Sequence, residues 1–144
     1  MIVGVLKEIR GVVISGCGRQ THVIAPADKP AFAFSESKEI QIDNLWVDAA
    51  SPDAAILLDH SDSVVVGNCF VSNQLVAKTD AAGDYASVRS RAKNRSGQPG
   101  PTIVIRSGKQ VEIHDNDIFG FPAILAGGAN IFIQRNRMTG VVQR

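Results

Sequence analysis

Apolar and polar residues alternate in four stretches that can be laid over one another, starting at Ala31, Ala55, Thr102 and Ala123. Each holds a short apolar strand, a small polar turn, a second apolar strand, and a turn rich in Asn, Asp and Gly. The second strand sets the register. Ile40, Val64, Val111 and Ile131 align, then Ile42, Val66, Ile113 and Ile133, and further on Val47, Val71, Ile118 and Met138. The first strand adds Phe32, Ile56, Ile103 and Ile124, then Phe34, Leu58, Ile105 and Ala126. Successive side chains on a strand face opposite sides, so this alternation marks strands with one buried face. The apolar spacing of an amphipathic helix does not recur.

The stretches start 24, 47 and 21 residues apart. The long interval reads as one coil plus an insertion. Periods of this size belong to solenoids, in which each unit is stable only when stacked on its neighbours. Two or three short strands per period close one turn of a parallel β-helix, with like strands about 4.8 Å apart. Val12 and Ile14 fit the second strand of an earlier coil, followed by Ser15–Gly18 and then Thr21–Ala25. The expected fold is therefore all-β: a right-handed, single-stranded parallel β-helix of about five coils. It fills residues 1–144 as one domain, with an insertion at 73–101.

The stretches Val111–Ile118 and Ile131–Met138 carry an Ile-x-Ile-x-x-Asn-x-Ile phrase. In this the chain resembles the pectate-lyase-like β-helix superfamily, over roughly residues 9–72 and 102–140. The resemblance implies the fold and leaves function open, because that superfamily holds lyases, hydrolases, phage tailspikes and adhesins.

Two columns of the second turn carry candidate chemistry. The inward column holds Cys17, Leu45, Cys69, Asn116 and Asn136. Stacked Asn side chains bond to one another and to turn backbone. Cys17 and Cys69 lie two coils apart, about 10 Å, which is beyond disulfide reach, so both are expected as buried free thiols. The outward column holds Trp46, Phe70, Asp117 and Arg137. Trp46 and Phe70 in line offer either a flat platform for the apolar face of a sugar or a surface packed under the insertion.

Around them runs a polar strip: Asp43, Asn44, Asn68, His114, Asp115, Asp117, Arg135 and Arg137. Paired carboxylates on nearby coils suit glycoside hydrolysis. Carboxylates beside Arg suit calcium-assisted β-elimination of uronic acids. The alternative is a strip of solvated turn residues. Asp115-Asn116-Asp117 is superficially similar to the Asn-Thr-Asp of polygalacturonases, and Asp59-His60 to a pectate-lyase dipeptide. The departures are plain: no His precedes a Gly, the Arg-x-Lys of Arg91–Lys93 lies in the insertion, and clustered calcium aspartates are missing. The candidate catalytic set is His114, Asp115, Asp117 and Arg137. The candidate binding set is Trp46, Phe70, Asp43, Asn68 and Arg135. No metal site and no cofactor are expected; calcium stays open as the alternative that β-elimination would use, with no motif here to support it.

The insertion changes the picture little. Asn73–Pro101 is rich in Ala, Ser and Gly, with Lys78, Arg89, Arg91, Lys93 and Arg95 against Asp80 and Asp84. It reads as a solvated loop, or as a flap with a short helix near Ala81–Val88. The formal net charge of +1 points to neither nucleic acid nor an anionic membrane as partner. No apolar run approaches the roughly 18 residues of a membrane span. Met1–Glu8 lacks the pattern of a signal peptide, which leaves a cytoplasmic protein or one whose targeting segment has been removed.

Ala33, Leu57, Val104 and Leu125 align on the outer side of the first strand. That apolar stripe, or ends without an amphipathic cap, predicts a homo-oligomer. The functional expectation is a carbohydrate-binding or carbohydrate-processing module without a complete catalytic set. The alternative is a non-catalytic structural or interaction solenoid of the surface, adhesin or phage-fibre kind.

Overall fold

A computed structural model describes residues 6–26, 28–73, 100–120 and 122–139. The insertion readings, including the helix near Ala81–Val88, fall at 74–99 and lie outside the described residues. The rest is a parallel β-solenoid of about four turns. Its strands fall into five levels. Level one holds β1 (Leu6–Lys7), β2 (Arg10–Ser15) and β3 (His22–Ile24), with a 3₁₀ turn at Gly18–Gln20. Level two holds β4 (Phe32–Ser35), β5 (Lys38–Asp43) and β6 (Trp46–Ala49). Level three holds β7 (Ile56–Asp59), β8 (Asp62–Gly67) and β9 (Phe70–Asn73). In level four the first two strands merge into β10 (Ile103–His114), followed by β11 (Asp117–Phe119). Level five repeats this with β12 (Ile124–Gln134) and β13 (Arg137–Thr139).

Every ladder among the described residues is parallel, and the register follows the sequence columns. Val12 pairs Ile40, Ile40 pairs Val64, Val64 pairs Val111, and Val111 pairs Ile131. Val23, Val47, Val71, Ile118 and Met138 form one line in the second sheet. Ile42, Val66, Ile113, Val47, Val71 and Ile118 are fully buried. Each such side chain contributes roughly 1.5–3 kcal/mol of apolar burial. Among the described residues no helix is long and apolar enough to cross a membrane.

Corners recur because one residue per bend takes left-handed backbone torsions. Glu36, His60 and Ser107 do so at one corner, with φ of 50°, 49° and 54°. Asn44, Asn68, Asp115 and Arg135 do so at the second turn, with φ of 57°, 52°, 55° and 53°. Such torsions cost about 1–2 kcal/mol in most residues and less in Asn or Asp. Buried hydroxyls hold the first corner. The Ser37 Oγ accepts the Ile9 N–H at 3.1 Å, and the Ser61 Oγ accepts the Ser37 N–H at 3.3 Å. Further along this column a Cβ on Gly128 would sit 2.0 Å from the Gly108 carbonyl oxygen, at a φ of 139°. Only glycine fits there.

Two expectations are corrected. Cys17 is exposed, not buried, while Cys69 is buried, and both are free thiols. The 3₁₀ turn at Gly18–Gln20 follows Cys17, and Thr21 after it takes the inward position beside Leu45, which leaves Cys17 outside the column. Burial pushes the Cys69 thiol up to about 11. The column Ala33–Leu57–Val104–Leu125 is in register but is not an exposed stripe. Ala33 and Val104 are buried, Leu57 is half-buried, and only Leu125 is open. Pro52 and Pro101, on the segments leading into β7 and β10, share a hollow with Val104 and Leu125.

Candidate functional site

The second turn repeats the same four positions at each level, and this repetition builds the site. The first position ends the strand facing outward: Asp43, Gly67, His114 and Gln134. The second takes the left-handed torsion and also points out. The third turns in: Leu45, Cys69 and Asn116 are buried, and Asn136 is half-buried. The fourth starts the second sheet facing outward: Trp46, Phe70, Asp117 and Arg137, with His22 below them.

The inward position carries the expected asparagine ladder. The Asn116 Oδ1 accepts the Cys69 N–H at 2.8 Å, and the Asn136 Oδ1 accepts the Asn116 N–H at 3.0 Å. The Asn116 and Asn136 amides donate to the Val66 and Ile113 carbonyls at 3.0 and 2.8 Å. A buried side chain so completely bonded is structural.

Outward, His114, Asp115 and Arg135 come together. The Arg135 Nε and Nη2 each donate to one Asp115 carboxylate oxygen at 3.0 Å, a fork-on-fork pair. The His114 Nδ1 lies 2.8 Å from the Asp115 Oδ2. The Arg135 fork first, then the His114 bond, hold Asp115 down to about 2. Asp115 in turn raises the Arg135 guanidinium above its ordinary value. The His114 ring lies over Gly67, where a Cβ would come within 2.7 Å of its Cε1 and Nε2. Gly67 therefore makes the room that sets the ring's position. Asn68 donates to Asp43 at 3.1 Å, further down the same strip.

Asp117 belongs to a different group. Its Oδ2 lies 3.3 Å from the Arg19 Nη2 of the first level. The Arg19 guanidinium passes over the Phe70 ring, 4.6 Å from its centroid. Arg137 is exposed and has no ion-pair partner among the described residues. Arg19, Phe70, Asp115, Asp117, Arg135 and Arg137 line one open groove of about 390 Å³.

The aromatic column stands differently from a flat platform. Trp46 and Phe70 are both half-buried, 5.8 Å apart and nearly perpendicular at 81°. Trp46 lays one face on His22, at 3.8 Å and 11°. The His22 Nε2 lies 2.7 Å from the Asp48 Oδ2. Phe70 packs on Phe119 at 4.9 Å. The sequence reading missed His22 and Arg19. The turn Gly18–Thr21 is extra in the first level, so counting on from Cys17 does not place His22 in the Trp46 column. Nothing in the sequence links Arg19 to Asp117.

This arrangement holds a carboxylate firmly ionised beside fixed guanidinium groups and an aromatic ring. Among the described residues, no three His, Cys, Asp or Glu side chains gather into a metal-binding cluster. No family model, curated protein or solved structure matches the chain.

Proposed function

We propose that the chain is a non-catalytic carbohydrate-binding solenoid, with the groove beside Phe70 as its site. The observation that carries this reading is one open groove joining an aromatic ring to planar polar groups already held by one another. A sugar offers an apolar ring face and adjacent hydroxyls. Phe70 meets the first, and the Arg135–Asp115 fork, with Arg137 alongside, meets the second. The Ile-x-Ile-x-x-Asn-x-Ile phrase adds a likeness to pectate-lyase-like β-helices. Catalysis is the weaker reading. Hydrolysis needs a carboxylic acid that keeps its proton near neutral pH, and Asp115 is held at about 2.

A second reading, an interaction solenoid, draws on one observation: Trp46 spends a face on His22 and not on solvent. A glycan array with the purified chain separates the two. The carbohydrate reading expects a defined set of sugars bound. It expects Phe70→Ala and Arg137→Ala each to weaken them by about tenfold or more while both variants still fold. No binding across a broad panel, or loss only where the variant unfolds, leaves the interaction solenoid as the account.

A further inference from the structure

Seven large apolar side chains are exposed among the described residues, and all seven lie on the first or the last level. Levels two to four contribute none. Two of the seven close inward columns. Ile133 is 41% and Met138 52% exposed, where Ile113 and Ile118 one level down are 0%. Their place on the last described level, with no further described strand stacked on it, accounts for these. It does not account for Val13 and Phe132, 66% and 57% exposed, which face outward. Both belong to the column Val13–Gln41–Val65–Glu112–Phe132. That column is polar at Gln41 and Glu112 and apolar at its two extremes. The end strands are also open. Among the described residues β12 pairs only β10, β13 only β11, β2 only β5 and β3 only β6.

We infer that the level-five end of one copy receives the level-one end of a second copy, head to tail. The occupant follows from the columns, because the two ends are members of the same ones. Stacking β2 of the second copy on β12 in the register used throughout places Ile14 on Ile133 and Val12 on Ile131. The same step sets Val23 on Met138 and Val13 beside Phe132, an aromatic to β-branched neighbour pair. The junction stays parallel, as every ladder among the described residues is. Arg10 and Arg135 already have partners within one copy, Glu39 and Asp115, and stay at the rim, while the exposed Arg137 falls beside His22 of the second copy on the outer face. A head-to-tail contact of this kind does not close on itself, so it propagates into linear assemblies. The inference stands apart from the glycan reading.

Sedimentation velocity across a concentration series tests it. The unmodified chain is expected to form a growing series of linear species. Val13→Glu blocks one end and Phe132→Glu the other, with like charges so that the two blocked ends also repel each other, and each variant alone is expected to be monomeric. An equal mixture of the two is expected to form a heterodimer and nothing larger, through the one pair of intact ends. Both positions are exposed, so both variants should keep the β-type circular dichroism of the unmodified chain. If either unfolds, Val13→Thr and Phe132→Thr replace them in the same scheme. A monomer at the highest attainable concentration overturns the inference. So does a dimer formed by one single variant alone, because that requires contact between like ends.

Discussion

Asp115 and Asn116 are consecutive residues of nearly the same shape, and the solenoid gives them opposite work. Asn116 points in, is buried, and spends its amide on the Cys69 N–H, the Val66 carbonyl and Asn136. Asp115 points out, stays partly open, and meets only side chains, Arg135 and His114. The inward residue serves the backbone of its neighbours, so its loss is felt by three levels at once. The outward one serves a surface that water would otherwise hydrate. Direction at a corner, more than residue type, decides whether a polar group holds the fold or is available to a ligand.

Exchanging the two chemistries should break that contrast most sharply at the inward position. Asn116→Asp puts a carboxyl where the amide now donates to the Val66 carbonyl and to Asn136. A carboxylate has no proton to give there, so two acceptors face a buried charge. Such a charge costs roughly 3–5 kcal/mol. Urea denaturation at neutral pH should show that loss. The loss should shrink at acidic pH, because burial raises the new group's pKa and the protonated acid can donate again. A variant as stable as the unmodified chain at neutral pH would place Asn116 outside the load on the fold.

The inward half of this contrast was legible in sequence, and the outward half only in part. Inward positions must be apolar or fully bonded, so Ile40, Val64, Val111 and Ile131 announce their register, and Asn116 and Asn136 their ladder. Outward positions are constrained only by what lies beside them. That depends on side chains crossing levels, as Arg19 does to reach Asp117. The Ser37 and Ser61 hydroxyls look like ordinary turn residues in sequence and are buried braces in the fold. Cys17 shows the limit of column logic. The turn at Gly18–Gln20 gives its place in the inward column to Thr21, whose carbonyl accepts the Trp46 N–H as the Leu45 carbonyl accepts that of Phe70, and the thiol is exposed.

Cys17 and Cys69 therefore sharpen the comparison between a residue displaced from the inward column and one held in it. Cys17 should react with a thiol reagent in the folded protein, and Cys69 only after unfolding. The Cys69 thiol is raised to about 11 from an ordinary 9.0, chiefly by burial. A raised acid stays neutral in the folded state while the unfolded chain ionises. Its contribution is complete below about 9 and is lost as pH rises to about 11, a difference of roughly 3 kcal/mol. Subtracting the profile of Cys69→Ala, which lacks the group, isolates this loss from other groups titrating there. Two parallel profiles, or two thiols reacting at one rate, would show that the two thiols are not divided as described.

Asp115→Asn should have the smallest effect of all. Its folded pKa is depressed to about 2, so its ion pair contributes above the ordinary carboxylate value and is lost as pH falls through about 2. The pair is open to solvent, and exposed pairs are screened and contribute little. At neutral pH the melting temperature should stay within error of the unmodified chain. The surface should nevertheless change, because an amide accepts at one atom and not two, and the Arg135 fork loses its second bond. Added salt should likewise leave the melting temperature in place, since there is little exposed attraction to screen. A clear fall in melting temperature for Asp115→Asn would assign the outward strip a share in the fold. It would thereby weaken the case that His114, Asp115 and Arg135 are held ready for something outside the chain.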